Sequence, residues 1–314
     1  MGSPSSGESL DLAGLIELLG VSPTATGPTG RIGSEDGRGD PVDRFVGQSP
    51  ADRDRQVYGG QFLAQALVAA AATVEPGRHP HSLHAYFLRT GTPRTPIDYH
   101  VERVRDGRTA SHRSVTAVQG EREVFRQLMS FQVDRPGPIH PPLEPFGPSI
   151  DPEALPDYRD WVADLSDRDD HPWFAEDLPI DLRIQDPPPT GPRGPMPDRI
   201  DVWLRMTGSV PGQQAEDPVW SAALLAWMSD KTISDVVLYP HGRSWTDDGA
   251  DILSLDHALW FHRPVPVDSW LRLTHHAVAT SRGRGLARGD LFTLDGELVA
   301  SVAQEAFIVL PDDT

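Results

Sequence analysis

The 314-residue chain has no cysteine, which excludes disulfides, zinc–thiolate sites and cysteine nucleophiles. Lysine is almost missing as well: Lys231 is the only one, and every other fixed cation is arginine. Positive charge is scarce overall, 28 Lys and Arg against 46 Asp and Glu for a formal net charge of -18. That balance excludes the basic footprint a nucleic-acid backbone demands. A small anionic ligand stays open, since it needs only a local group of arginines. No apolar run approaches the roughly 20 residues of a membrane-spanning helix, and no signal-peptide pattern opens the chain. A cytoplasmic protein without membrane insertion is therefore expected. The opening "MGSPSS" formally fits a myristoylation template through Gly2 and Ser6, but it reads more simply as a Gly/Ser/Pro tail. The closing "PDDT" does not resemble a peroxisomal address.

The usual hydrolase devices are missing too. There is no G-x-S-x-G nucleophile elbow, since "GRSWT" and "GSVPG" do not match. There is no H-E-x-x-H, and neither His79/His81, His275/His276 nor "DDH" at 169–171 has a third ligand at metal-binding spacing, so no metal is expected. "GRGLARG" at 283–289 has the wrong glycine spacing for a phosphate loop and lies in a strand pattern, where a turn or bulge is the better reading. No cofactor is implied.

Among what is present, "SLDLAGLIELLG" spaces Leu10, Leu12, Leu15, Ile16, Leu18 and Leu19 for a helix that Gly20 stops. Residues 22–42, rich in Gly, Thr, Pro and Asp, read as a loop. "GGQFLAQALVAAAATV" is a second helix. Four alternating runs follow it from "SLHAYFLRTG" to "EREVFRQLMSFQV", broken at Asp106-Gly107 and Gln119-Gly120 as in an antiparallel meander. Proline crowds 134–160 and 186–197, marking a connection. The order then recurs: a strand "RIDVWLRMTG", a helix "VWSAALLAWMSD" and four more strand runs. Phe87 and Arg89 match Phe261 and Arg263, and the turn at 105–108 matches that at 281–284. Gly120 precedes Phe131 by 11 residues, as Gly296 precedes Phe307. Two similar units about 175 residues apart, each a long helix with an antiparallel meander, are expected. The divisions are 1–43 for a tail with a short helix and loop, 44–133 for the first unit, 134–199 for the connection and 200–314 for the second unit.

"YGGQFLAQAL", "HSLHAYFLRTG", "TGSVP", "SLDHALWFHRP" and "GELVASVAQE" resemble, in order, the signature segments of the acyl-CoA thioesterase II family over residues 44–133 and 200–308. The resemblance implies an α+β double hot-dog, two tandem units each wrapping an antiparallel sheet around a long central helix. It implies hydrolysis of acyl-CoA thioesters to a free acid and CoA without covalent intermediate or cofactor. It carries the family's catalytic Asp onto Asp230, its hydroxyl residue onto Ser254 and its Gln onto Gln304. The family usually has threonine at the hydroxyl position. Serine keeps the hydrogen bond but not the stiffness of a β-branched side chain.

The residues themselves give these positions some chemical sense. Asp230 ends an apolar helix, where a carboxylate suits the helix dipole poorly. Ser254 opens a strand, and Gln304 interrupts the apolar alternation of the last one. An acceptor, a hydroxyl and an amide converging on one water are able to orient it for attack on a thioester carbonyl. Glycines in "YGGQ" at the start of the first long helix let a ligand approach the backbone, so the amides of Gly60 and Gln61 are candidates to face the thioester oxygen. His84, His257 and Asp256 read as strand-bracing residues. Arg105 and Arg108 at one turn, and Arg282, Arg284 and Arg288 near its counterpart, are candidates for CoA phosphates. Two other functions fit the same pattern: hydration or dehydration of an enoyl thioester, with His257 or His84 as base, and a non-catalytic acyl-CoA-binding module. Unpaired sheet edges lead to the expectation of a homo-oligomer, dimer or tetramer.

Overall fold

Apolar periodicity accounts for most of the elements in the computed structural model, which describes residues 10–24, 42–49, 56–138, 140, 150–163, 178–188, 194–247, 249–264 and 266–310. Gly2, Ser6 and most of the loop at 22–42 lie outside the described residues. Helix α1 (Leu12–Leu19) starts at Asp11, whose carboxylate accepts the Gly14 N–H at 2.7 Å, and stops at Gly20. Strands β1 (Val21–Pro23) and β2 (Val42–Gly47) precede α2 (Gly59–Ala71). The first meander is β3 (Arg78–Phe87), β4 (Ile97–Asp106), β5 (Ala110–Gln119) and β6 (Arg122–Val133). The expected hairpins form at Asp106-Gly107 and at Gly120, whose φ of +63° only glycine adopts without strain.

The segment expected as a bare connection holds more than that. A short helix α3 (Tyr158–Ala163) and strand β7 (Ile180–Ile184) form there. "IDLRI" carries its own alternation between the proline clusters, and β7 pairs with β8 (Arg199–Met206). The second unit continues with α4 (Pro218–Ser229), β9 (Asp251–Ser254), β10 (Asp256–Phe261), β11 (Leu271–Ser281), β12 (Arg284–Thr293) and β13 (Leu298–Val309). The run "SLDHALWFHR" is thus split at Leu255. β9 pairs with the far end of β13, while β10 lies between β13 and β3.

The strands form one antiparallel sheet in the order β1-β2-β4-β5-β6-β3-β10-β13-β12-β11-β8-β7, with β9 beside β13. The two halves meet at β3 and β10, where Leu83 opposes Leu259 and His84 opposes Ala258. His84 and Ala258 stand as far apart in sequence as Phe87 and Phe261, so the repeat and the strand pairing describe the same local two-fold relation.

Helices α2 and α4 pack side by side, with the start of α2 against the end of α4. The Tyr58 hydroxyl donates to the Trp227 carbonyl at 2.8 Å, and the two rings meet edge to face. Buried amides tie α2 to its surroundings. Gln65 accepts from the Tyr99 hydroxyl at 2.7 Å and donates to the Leu18 and Gln48 carbonyls, and Gln61 donates to Gln48 at 2.7 Å. These bonds satisfy polar groups that burial would otherwise penalise, and they fix α1 and the end of β2 on the helix.

The helix contact sets a test. A Cβ on Gly60 would stand 2.6 Å from the Trp227 carbonyl oxygen, a backbone atom with nowhere to go. Gly60→Ala is expected to lower unfolding free energy by about 1–3 kcal/mol, read by thermal or urea melting. A variant as stable as the parent would mean that the helices are not held this closely.

Candidate active site

Helix α4 is buried on every side from Ala222 to Ser229, so it is a core helix rather than an amphipathic one. Its N-terminus is capped by Asp217, which accepts the Val219 N–H at 2.9 Å, with Pro218 at the first helical position. At its other end Asp230 is the C-cap, where its own helix dipole disfavours a negative charge. The compensation comes from α2. The Gly60 N–H bonds the Asp230 carboxylate, and a Cβ on Gly59 would come within 2.6 Å of Oδ2. The carboxylate therefore rests on the positive N-terminal end of a neighbouring helix.

The Asp230 side chain is only 5% exposed. Burial pushes its pKa up to about 7; the Gln304 amide, the Gly60 N–H and the Lys231 charge oppose that rise without cancelling it. Lys231 is buried beside it with Nζ 4.5 Å from the Tyr58 ring centre and 4.8 Å from that of Trp227. Asp235 is also pushed well up, by burial and then by the charge of Asp230. Oδ1 of Asp230 is buried and takes no hydrogen bond from a described residue; His257 Nδ1 lies 3.9 Å away.

Strand β13 brings the amide. Gln304 is 2% exposed, and its Nε2 donates to Ser254 Oγ at 2.7 Å and Ser234 Oγ at 2.9 Å. Ser254 is placed by the pairing of β9 with β13, opposite Ala306. Its neighbour Asp256 accepts the Glu305 N–H at 2.8 Å and so pins β10 to β13. The other end of the Gln304 amide, Oε1, accepts from His257 Nδ1. His257 is fully buried, which lowers its pKa to about 4, and its Nε2 lies 3.0 Å from Ser229 Oγ on α4.

Asp230, Ser254 and Gln304 thus converge, with Gly60 beside them. Gln61 does not share in this: its amide donates to the Tyr58 carbonyl at 3.1 Å and its side chain to Gln48. The reason is local, since Gln61 already lies within the first turn of α2 and its N–H is used there. His84 is on the exposed face of the sheet, edge-on to Trp260. The turn at Arg282 and Gly283 (φ +53° and +69°) lies near the Ser254 end of β13, with Arg284 bonded to Glu305 at 3.1 Å and Arg288 exposed farther along β12. Arg105 and Arg108 lie at the β4–β5 turn in the other half. Ser229, Ser234 and Lys231 belong to the site's surroundings, and nothing in their spacing signals it: Ser229 meets His257, Lys231 stands beside Asp230, and Ser234 reaches Gln304 because the segment after α4 folds against β11 and β12. At the end of α2 the C-cap is Ala72 rather than an acid, and the buried Arg113 donates to Thr73 Oγ1 at 2.7 Å and to Asp106 at 2.9 Å.

A stability test follows from Asp230. Its folded pKa is raised, so folding disfavours the charged form; the penalty is absent below pH 4, grows up to about pH 7 and is constant above. Asp230→Asn removes the charge and is expected to be more stable than the parent at pH 8 by roughly 3–4 kcal/mol, a margin that shrinks toward zero at pH 4. Melting both proteins across this range checks it; a margin independent of pH would rule out a buried, raised carboxylate.

The comparisons with known proteins converge. Family models described as the acyl-CoA thioesterase N-terminal and C-terminal domains match residues 48–132 and 151–308. The chain is 34% identical to acyl-coenzyme A thioesterase 8 of Mus musculus, over 82% of this chain and 81% of that one. It is 34% identical to acyl-CoA thioesterase 2 of Haemophilus influenzae, over 84% and 91%. The crystal structure of acyl-CoA thioesterase II TesB2 from Mycobacterium marinum superposes with a TM-score of 0.68 at 31% identity, covering 86% of this chain and 93% of that one. A hot-dog protein from Alicyclobacillus acidocaldarius also reaches a TM-score of 0.68 at 19% identity, over 94% and 97%, which speaks to the fold alone. With both halves matched by the family's own models and the site residues brought to one corner, the chain belongs to the acyl-CoA thioesterase II family.

Proposed function

We propose that this protein hydrolyses acyl-CoA thioesters to a carboxylic acid and CoA, using a water activated by Asp230, Ser254 and Gln304. The observation that carries the reading is Oδ1 of Asp230: a buried carboxylate oxygen without a donor among the described residues, beside an amide and a hydroxyl. A water donating to Oδ1 completes that acceptor. With a pKa of about 7, the carboxylate is matched to general-base work near neutrality. As the water's oxygen bonds to the acyl carbon, its proton moves to Asp230 and the carbonyl electrons move onto the oxygen. When the tetrahedral intermediate collapses, the C–S bond breaks and the proton on Asp230 passes to the departing thiolate. Gln304 donates to Ser254 Oγ, so the Ser254 hydrogen is free to point at the water or the oxyanion. The Gly60 N–H steadies the base rather than the thioester oxygen, since it already bonds the carboxylate.

In this reading the two units, 44–133 and 200–314, are tandem hot-dogs around α2 and α4, with α3 and β7 as additions to the second, and the protein assembles as a homo-oligomer. Enoyl-thioester hydration is less well supported, because both ring nitrogens of His257 are engaged and His84 is on the exposed face. A binding module without turnover is separated by assay of released thiol.

In that assay, Asp230→Asn is expected to lower kcat by about 10²–10⁴ with KM little changed, since the base is lost while the substrate contacts remain. Ser254→Ala and Gln304→Ala are expected to cost less. Near-parental turnover in folded Asp230→Asn would move the catalytic centre elsewhere. For CoA, Arg282→Ala or Arg284→Ala is expected to raise KM for acyl-CoA more than for an acyl thioester lacking the nucleotide; equal changes for both substrates would remove these arginines from phosphate binding.

A further inference from the structure

We infer that His257 is a positioning residue that fixes which way the Gln304 amide points, and that turnover depends on this choice. The inference rests on the reading of Asp230, Ser254 and Gln304 as the hydrolytic site.

A primary amide has two faces of opposite character that differ little in shape, so rotating it by half a turn exchanges donor for acceptor at almost no steric cost. In Gln304 that exchange matters. With nitrogen toward the site, the amide donates to Ser254 and Ser234 and stands beside the Asp230 carboxylate. Reversed, it would set its oxygen against that carboxylate and take the hydrogens of the serines for itself. The Ser254 hydrogen would then no longer be available to a water or an oxyanion.

The carboxylate favours the first orientation, and a second partner holds it from the opposite side. Oε1 faces Nδ1 of His257, a ring held by β10 between β3 and β13 and almost completely buried. Burial keeps the imidazole neutral, so it carries one hydrogen. An amide oxygen accepts only, which puts that hydrogen on Nδ1 and leaves Nε2 as an acceptor. Ser229 Oγ lies 3.0 Å from Nε2 and 2.9 Å from the Ala226 carbonyl, and its single hydrogen serves only one of them: turned to the carbonyl, it leaves Nε2 without a donor, so the Nδ1–H tautomer rests on the Oε1 contact. The polarity thus runs from His257 to Gln304 and ends at Ser254. Asp230 Oδ1, at 3.9 Å from Nδ1, is too far to compete for the same hydrogen.

The test uses three variants of the full chain. In His257→Asn, the side-chain N–H is able to occupy the place of Nδ1–H; in His257→Gln, the amide reaches the place of Nε2 instead; His257→Leu offers neither. Thiol-release kinetics on acyl-CoA are expected to show kcat lowered by about 10- to 100-fold in the Leu and Gln variants, with KM within about twofold, and largely retained in the Asn variant. Thermal melting of each variant separates this order from the cost of altering a buried residue, which does not rank Asn above Gln and Leu in kcat. Full turnover in folded His257→Leu, or equal kcat in the Asn and Gln variants, would overturn the inference. Asp230→Asn is assayed alongside. If that variant is inactive while the His257 variants are unaffected, only the role of His257 falls; if it too turns over normally, the reading of the site falls with it.

Discussion

The close approach of the start of α2 to the end of α4 is the contact on which the site depends. A carboxylate at a helix C-terminus is opposed by its own helix dipole, and burying it costs more still. Asp230 persists there because the first turn of a second helix points an N–H at it. That arrangement needs a backbone without side chains at the contact, which is why two glycines stand at 59 and 60. The apolar walls of both helices, the Tyr58 hydroxyl on the Trp227 carbonyl and the buried glutamines along α2 hold the helices in place. Each of these groups narrows the positions the carboxylate is able to take.

The same contact sets the protonation states. A neutral imidazole, a carboxylate poised near neutrality and a second carboxylate pushed well up by burial and then by the charge of the first share this region. Burial is the leading cause in all three, and it acts in opposite directions on acid and base: it raises the two aspartates and lowers the histidine. Lys231 supplies the local positive charge that keeps Asp230 from rising further, and its ammonium is accommodated by aromatic faces in place of water. A site built this way holds unfavourable electrostatics that the rest of the core must offset.

Much of the fold was legible because it is written in local periodicity. The stops at Gly20 and Gly120, the length of α2 and α4 and the eight long strands follow from residues near one another in the chain. β1, α3 and β7 were not, because three to six residues carry too little pattern and proline neighbours hide it. In the site, Asp230 and Gln304 stood out as polar groups in apolar runs. Ser229, Ser234 and the partnership of His257 did not. A serine near a helix end is commonplace, and only the folding of residues 231–241 against β11 and β12 brings Ser234 to Gln304. The choice of Gln61 failed to anticipate that the first helical turn uses that amide itself.

The two-fold relation between the halves leaves their two helix ends unequal. The end of α4 carries a buried acid set against the first turn of α2. At the end of α2 Ala72 is the C-cap instead, and the Arg113 guanidinium, bonded to Thr73 and Asp106, ties the helix end to β4 and β5. Similar backbones thus hold a strained polar pocket at one helix end and a satisfied structural tie at the other.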